Sequence, residues 1–374
     1  AGTGTGPYLP GTDGQHWQRF NLNLPVTPIL DLKVAHGDLV VATSGRAFWI
    51  LDDLGLLRQY DGAPGEQAKL YQPEDALLVD GGSPLNGSTD DFDGTHPLEG
   101  VNPATGVVLY YYLPEGVEGD IELTITDKSG EVVRRLRSQP NPDHQSYAGG
   151  PPAEPTLPKQ AGLNRFVWDM RYPTMTGAPT AYIEGSYRGH KAAPGEYTLT
   201  LRAGGETLTS TCTILENPLY ELTAADYADY HRFMSAGEKK LNEMHRMVNE
   251  LMGLQEQLSG IIEAMGQQPA LKKEAQSLLE KMKAWDEEMI QRKSKAYDDV
   301  ENFPNKFTAN YLFALNHAES SLPRVNQPTR DRIAELNAEW AKRKEEGEAL
   351  LHKAVPALNK KFWEAGIGAL RLGK

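Results

Sequence analysis

The sequence predicts a multidomain β-plus-α protein, and three changes of texture carry that reading. Residues 1 to 62 are short apolar runs broken by Gly, Pro and Asp, and residues 99–216 repeat that texture with tight turns. Residues 217–374 instead carry almost unbroken helical periodicity. Between the two β-rich parts, residues 63–98 include "VDGGSPLNGSTDDFDGTHPLEG" and read as a Gly/Asp/Pro-rich linker. The expected organisation is an N-terminal β segment (1–62), a linker (63–98), a β-sandwich (99–216) and an antiparallel helical bundle (217–374). A chain of 374 residues has room for that many parts.

The first element pair is "DLVVATSGRAFWILDD", residues 38–53. Two apolar runs, VVAT and FWIL, flank Ser44-Gly45-Arg46, the pattern of strand, tight turn and strand. In the middle region "GVVLYYYLP" is a β-rich run closed by Pro114. "DIELTITDKSGEVVRRL" alternates Ile121, Leu123 and Ile125, turns at Asp127-Lys128-Ser129-Gly130 and continues as a second strand. "LNRFVWDMRYP" is a further strand with Phe166 and Trp168 on one face. "APGEYTLTLRAGGETLTSTCTIL" is a hairpin turning at Gly204-Gly205. Several short strands joined by tight turns over this length predict a sandwich of the immunoglobulin or fibronectin-III kind.

The helical part has a seam. Met234, Leu241, Val248 and Ile262 fall on one seven-residue series, with Gln255 in the remaining slot. Met244, Leu251, Leu258 and Met265 form a second series three residues out of phase, which predicts an a/d stripe. Thr223 and Asp226 have the spacing of a capping box. Gln267-Gln268-Pro269 should join this helix to an antiparallel partner carrying Leu271, Ala275, Leu278, Met282, Trp285 and Met289. A short helix is expected after Pro304, and a long one from Pro328-Thr329 through Ile333, Leu336, Trp340 and Leu350, kinked or ended by Pro356.

Near the N-terminus, "GTDGQHWQRF" places Asp13, Gly14 and Trp17 as in an Asp-box turn. With "NLPVTPILDLKVAHGDLVVATSGRAFWILDD", "NPATGVVLYYYLPE", "AGLNRFVWDMRYP", "PGEYTLTL" and "ENFPNKFTANYLFAL", it resembles the C-terminal part of bacterial sortilin-like (Vps10-type) BNR-repeat propeller proteins, often labelled glycosyl hydrolases. The resemblance covers nearly the whole chain. It implies that residues 1–62 are the last blade or blades of a β-propeller and that the preceding blades lie on another chain or on a removed segment. A propeller needs about four blades to close, and a lone blade leaves open sheet edges. One departure is "PYLPGTDG", in which Pro7 and Pro10 should weaken the first strand and make that half-blade irregular. The resemblance further implies an exported, secreted or periplasmic protein. Its function would be scaffolding and protein interaction without catalysis in this chain; the alternative is the structural end of a glycan- or peptide-acting hydrolase whose acids lie in other blades.

Composition narrows the chemistry. The net charge of −13 argues against nucleic acid and against an anionic membrane surface as partners. No run of about 18 apolar residues predicts a membrane span. The lone Cys212 sits in the alternating run "LTSTCTIL", as a small buried hydrophobe would. Arg46 with Asp52 and Asp53 is either a charged site or, as the resemblance implies, an Arg–Asp pair locking the blade. Asp90, Asp91 and Asp93 resemble half of a calcium loop but lack the distal Glu, and a solvated acidic loop is the plainer reading. The nine histidines show no H-x-x-x-H or H-E-x-x-H spacing, so no zinc site is legible. No nucleophile elbow or P-loop occurs. Tyr110 and Tyr112 share a strand face and with Trp168 offer either a sugar platform or ordinary core packing. No catalytic residue and no required cofactor is therefore expected within this chain.

Overall fold

The computed structural model describes residues 1–10, 15–60, 65, 67–87, 102–266, 268–320 and 323–372. They form a mixed β and α protein with several sheets, one of them curled into a half-barrel, and a C-terminal helix of 38 residues. Two compact units can be described separately. The first comprises Ala1–Gln139, Thr156–Met170 and Pro194–Leu219; the second comprises Pro140–Pro155, Arg171–Ala193 and Tyr220–Lys374. Among the described residues no helix is long and apolar enough to cross a membrane.

The first unit opens with β1 (Gly2–Thr3), β2 (Gly6–Pro10) and β3 (Trp17–Arg19), then β4 (Ile29–Ala35), β5 (Asp38–Thr43) and β6 (Phe48–Leu51), followed by the short helix α1 (Leu54–Gln59). Each set of three strands is an antiparallel sheet. The turn expected at Ser44-Gly45-Arg46 joins β5 to β6, and Gly45 supplies its positive φ of 81°. Pro7 and Pro10 do not prevent β2. Its ladder runs through other groups: Tyr8 N donates to Ala1 O at 2.8 Å, and Phe20 N donates to Pro7 O at 2.9 Å.

Further strands follow as β7 (Lys69–Leu70), β8 (Ala76–Leu77), β9 (Val107–Leu113), β10 (Glu122–Asp127), β11 (Val132–Arg137), β12 (Gly162–Trp168), β13 (Gly195–Ala203) and β14 (Glu206–Leu215). They form a five-stranded sheet ordered β11-β10-β13-β14-β8 and a three-stranded sheet ordered β12-β9-β7. The hairpins at Asp127–Gly130 and Gly204-Gly205 stand where the sequence puts them. Asp127 fixes the first, its Oδ1 accepting from the N–H groups of Ser129 and Glu131. Trp168 of β12 meets Tyr197 of β13 edge-on at 5.5 Å, so the two sheets share apolar residues. Leu109, Leu123, Ile125, Leu199 and Cys212 are buried with them. Burial pushes the Cys212 thiol up to about 12, which keeps it an inert hydrophobe. Tyr111 is buried and donates to Pro158 O, while Tyr110 is half-buried, so β9 is covered on both faces rather than presenting a tyrosine platform.

The second unit is built on α2 (Ala224–Ala264) and α3 (Pro269–Met289), with α4 (Asp299–Asn302), α5 (Phe307–Ser320), α6 (Gln327–Ala349) and α7 (Val355–Glu364). Thr223 caps α2 with the full reciprocal box to Asp226. The a/d residues Met234, Leu241, Met244, Val248, Leu251, Leu258 and Ile262 are buried together with Ala275, Leu278, Met282, Trp285 and Met289 of α3, the stripe expected from spacing alone. Pro356 does not end the last helix. A π turn over Leu350–Ala354 absorbs it, with Val355 N reaching back to Leu350 O, and the helix runs on to Glu364. Two irregular segments within 99–216, Pro140–Pro155 and Arg171–Ala193, belong to this unit. The second is a strap held by helix side chains. Asn242 Oδ1 accepts from Thr176 N at 2.7 Å, Asn316 bonds both N and O of Ser186, and Asn249 donates to Gly177 O at 2.9 Å.

Candidate functional site

Of the residues singled out by sequence, Asp52 and Asp53 lie in the first unit at a polar corner between β6 and α1. Asp53 adopts a left-handed conformation (φ 58°) at the start of α1, yet its side chain caps nothing there. It is turned instead to Tyr110, whose Oη donates to Asp53 Oδ2 at 2.7 Å. Asp38 Oδ1 accepts from Asp53 N at 3.1 Å, and Glu74 Oε1 accepts from Gly55 N at 2.7 Å at the N-terminus of α1. Burial, then the neighbouring Asp38 and Asp53 charges, push Asp52 up to about 6 against the pull of Arg165. Burial raises Asp53 as well, opposed by the Tyr110 hydrogen bond and by Arg165. Burial also lifts Tyr110, which stays a proton donor.

The cation of this corner is thus Arg165 of β12, which also donates to Leu85 O at 2.6 Å and Gly87 O at 2.7 Å. The expected ion pair from Arg46 to Asp52 or Asp53 does not form among the described residues. Arg46 sits at the exposed β5–β6 turn and contributes its backbone, donating to Thr43 Oγ1 and accepting from Trp49 Nε1. Trp17 is also not packed between strands; it is 51% exposed on β3. Asp13, Gly14, Asp90, Asp91 and Asp93 lie outside the described residues. The hollow beside Asp53, lined by Tyr71, Glu74 and Tyr110, has a volume of about 10 Å³. That is room for one water and not for a sugar ring.

A second polar cluster escaped sequence reasoning. In the second unit, His190 of the strap is 1% exposed. Its backbone N donates to Glu238 Oε1 at 2.8 Å, and its Nδ1 lies 2.9 Å from Glu238 Oε2. A carboxylate only accepts, so His190 donates from Nδ1, and its Nε2 lies 2.9 Å from His231 Nδ1. Tyr172 stacks on the His190 ring at 4.3 Å, and Arg171 pairs with Glu319 nearby. The Glu–His dyad resembles the orienting half of a general base. Here, however, the nitrogen that would take a proton is occupied by His231 and the ring is covered, so the network fastens the strap to α2. Its signal in sequence is faint: His231, Ser235 and Glu238 share a helix face beside the a/d stripe, while His190 lies 41 residues from His231.

Among the described residues no group of three His, Cys, Asp or Glu is arranged to hold a metal ion. One further feature of the first unit is apolar. In the β4–β5–β6 sheet, paired residues share a face. One face carries Ile29, Leu32, Val41 and Trp49. β1 packs on its Ile29 end, where a Cβ on Gly2 would fall 2.6 Å from Ile29 Cγ2, and Val41 is 4% exposed, while Val34 of the same face is 56% exposed. The other face carries Val40, Ala42, Phe48 and Ile50, flanked by Asp31 and Lys33 of β4. Phe48 is 77% exposed and Ile50 is 61% exposed. No known family, characterised protein or solved structure matches the chain.

Proposed function

We propose that this chain is a non-catalytic scaffolding and protein-interaction module of an exported, sortilin-like propeller protein. In this reading residues 1–62 are propeller blades. The β9–β14 sheets are a fibronectin-like sandwich, and the helices form a bundle that presents a docking surface. The observation that carries the reading is the open apolar face of the β4–β6 sheet. Exposed aromatic and aliphatic side chains on a sheet face mark an interface, and blades in a propeller stack face to face. The neighbouring blades would come from another chain or another segment. Two consecutive three-stranded antiparallel meanders, β1–β3 and β4–β6, support the same reading.

The test is native mass of the protein purified from its source, with every chain sequenced. A second chain or segment carrying Asp-box repeats in fixed ratio is the expected result. A folded monomer with no such sequence contradicts the propeller reading.

A further inference from the structure

We propose that the open face of the β4–β6 sheet pairs with its own copy when no neighbouring blade occupies it, so that the isolated chain forms a two-fold symmetric dimer. This rests on the reading of that face as an interface but not on the identity of its neighbour in an assembly. The face is a grid of two rows. Asp31 pairs with Ala42 and Ala42 with Phe48 in the first; Lys33 pairs with Val40 and Val40 with Ile50 in the second. Asp31 and Lys33 are exposed, and Lys33 has no ion-pair partner among the described residues. Among the described residues Asp31 engages the adjacent backbone, Oδ1 accepting from Leu32 N at 2.8 Å.

Now place a two-fold axis across the strands, midway between the rows and in the plane of contact. Each row of one copy then lies over the other row of its partner. Asp31 meets Lys33, Ala42 meets Val40, and Phe48 meets Ile50, each pairing occurring twice. Acid faces base and apolar faces apolar, which is the self-complementarity that an isologous contact requires. Strands of the two copies run nearly aligned, as in ordinary face-to-face sheet packing. On the opposite face β1 packs against Ile29 and Leu32. A patch three strands wide falls in the size class of transient contacts, so the dimer is weak and reversible.

Sedimentation of the purified chain over a concentration series tests the proposal, with Asp31→Lys, Lys33→Asp and the double swap compared to the unaltered chain. The unaltered chain should shift from monomer to dimer as concentration rises. Each single reversal converts both charge contacts to repulsion and should weaken association about tenfold, roughly 1.4 kcal/mol. The double swap restores both contacts and should recover the original affinity. These are solvent-facing positions, and thermal unfolding confirms that each variant is folded. A chain that stays monomeric throughout overturns the proposal. So does a dimer indifferent to the single reversals, or one that the double swap fails to rescue. None of these outcomes touches the propeller reading, which depends on the chains found in the source material.

Discussion

At the scale of single residues, buried polar groups account for what the sequence could not reveal. His245 is fully buried, with Nδ1 donating to Thr176 O at 2.6 Å and Nε2 facing no partner among the described residues. A second proton would have nowhere to bond, and burial pushes its pKa from 6.5 down to about 4. The unfolded chain therefore takes up a proton that the folded chain refuses. Stability of the helical unit is intact above pH 6.5 and falls as pH drops from 6.5 toward about 4. The full loss is about 3 kcal/mol. Urea unfolding at pH 7 and pH 5 should show it, and His245→Asn should flatten the dependence. Glu238→Ala strips the acceptor from two buried donors of His190 and should cost about 3 kcal/mol in the same assay. Neither role was legible: both depend on the Arg171–Ala193 strap, whose irregular sequence has no period to read. Arg46 failed for a related reason. It stands near Asp52 and Asp53 in sequence, but a tight turn aims it to solvent while Arg165, far along the chain, arrives on the adjoining sheet.

Elements were read more fully, because period and turn chemistry are local. The β5–β6 hairpin, the Asp127–Gly130 turn, the Thr223 cap and the a/d stripe of α2 all stand where their residues place them. The interruption of that stripe is informative. Gln255 occupies a core slot, and its Nε2 is buried without a partner among the described residues. Gln255→Leu should raise stability by about 1 kcal/mol, seen as a higher denaturant midpoint at unchanged slope. Of the two expectations for Pro356, ending the helix does not hold, because a π turn absorbs the missing N–H and the helix continues. Trp17 misled because its expected packing came from the Asp-box resemblance; on β3 it stands exposed.

At the scale of the whole molecule, the two units should respond to acid in opposite directions. In the first, Asp52 is raised to about 6 in the folded chain, so folding is favoured more as pH falls from 6 toward 3.8. In the second, His245 makes folding less favourable over the same window. Thermal scans should show the helical transition moving down below pH 6 while that of the first unit moves up. The sheets and helices of each unit were legible from alternation and heptads. The assignment of Arg171–Ala193 to the helical unit was not, since it rests on hydrogen bonds between residues distant in sequence. The proposed function stands on the Phe48–Ile50 face of the β4–β6 sheet being an interface. Radical footprinting of these two side chains tests it most directly, comparing source-purified material with the dilute isolated chain. The account predicts strong protection of both in the source material and ready labelling in the isolated chain. Equal labelling in the two samples would contradict it.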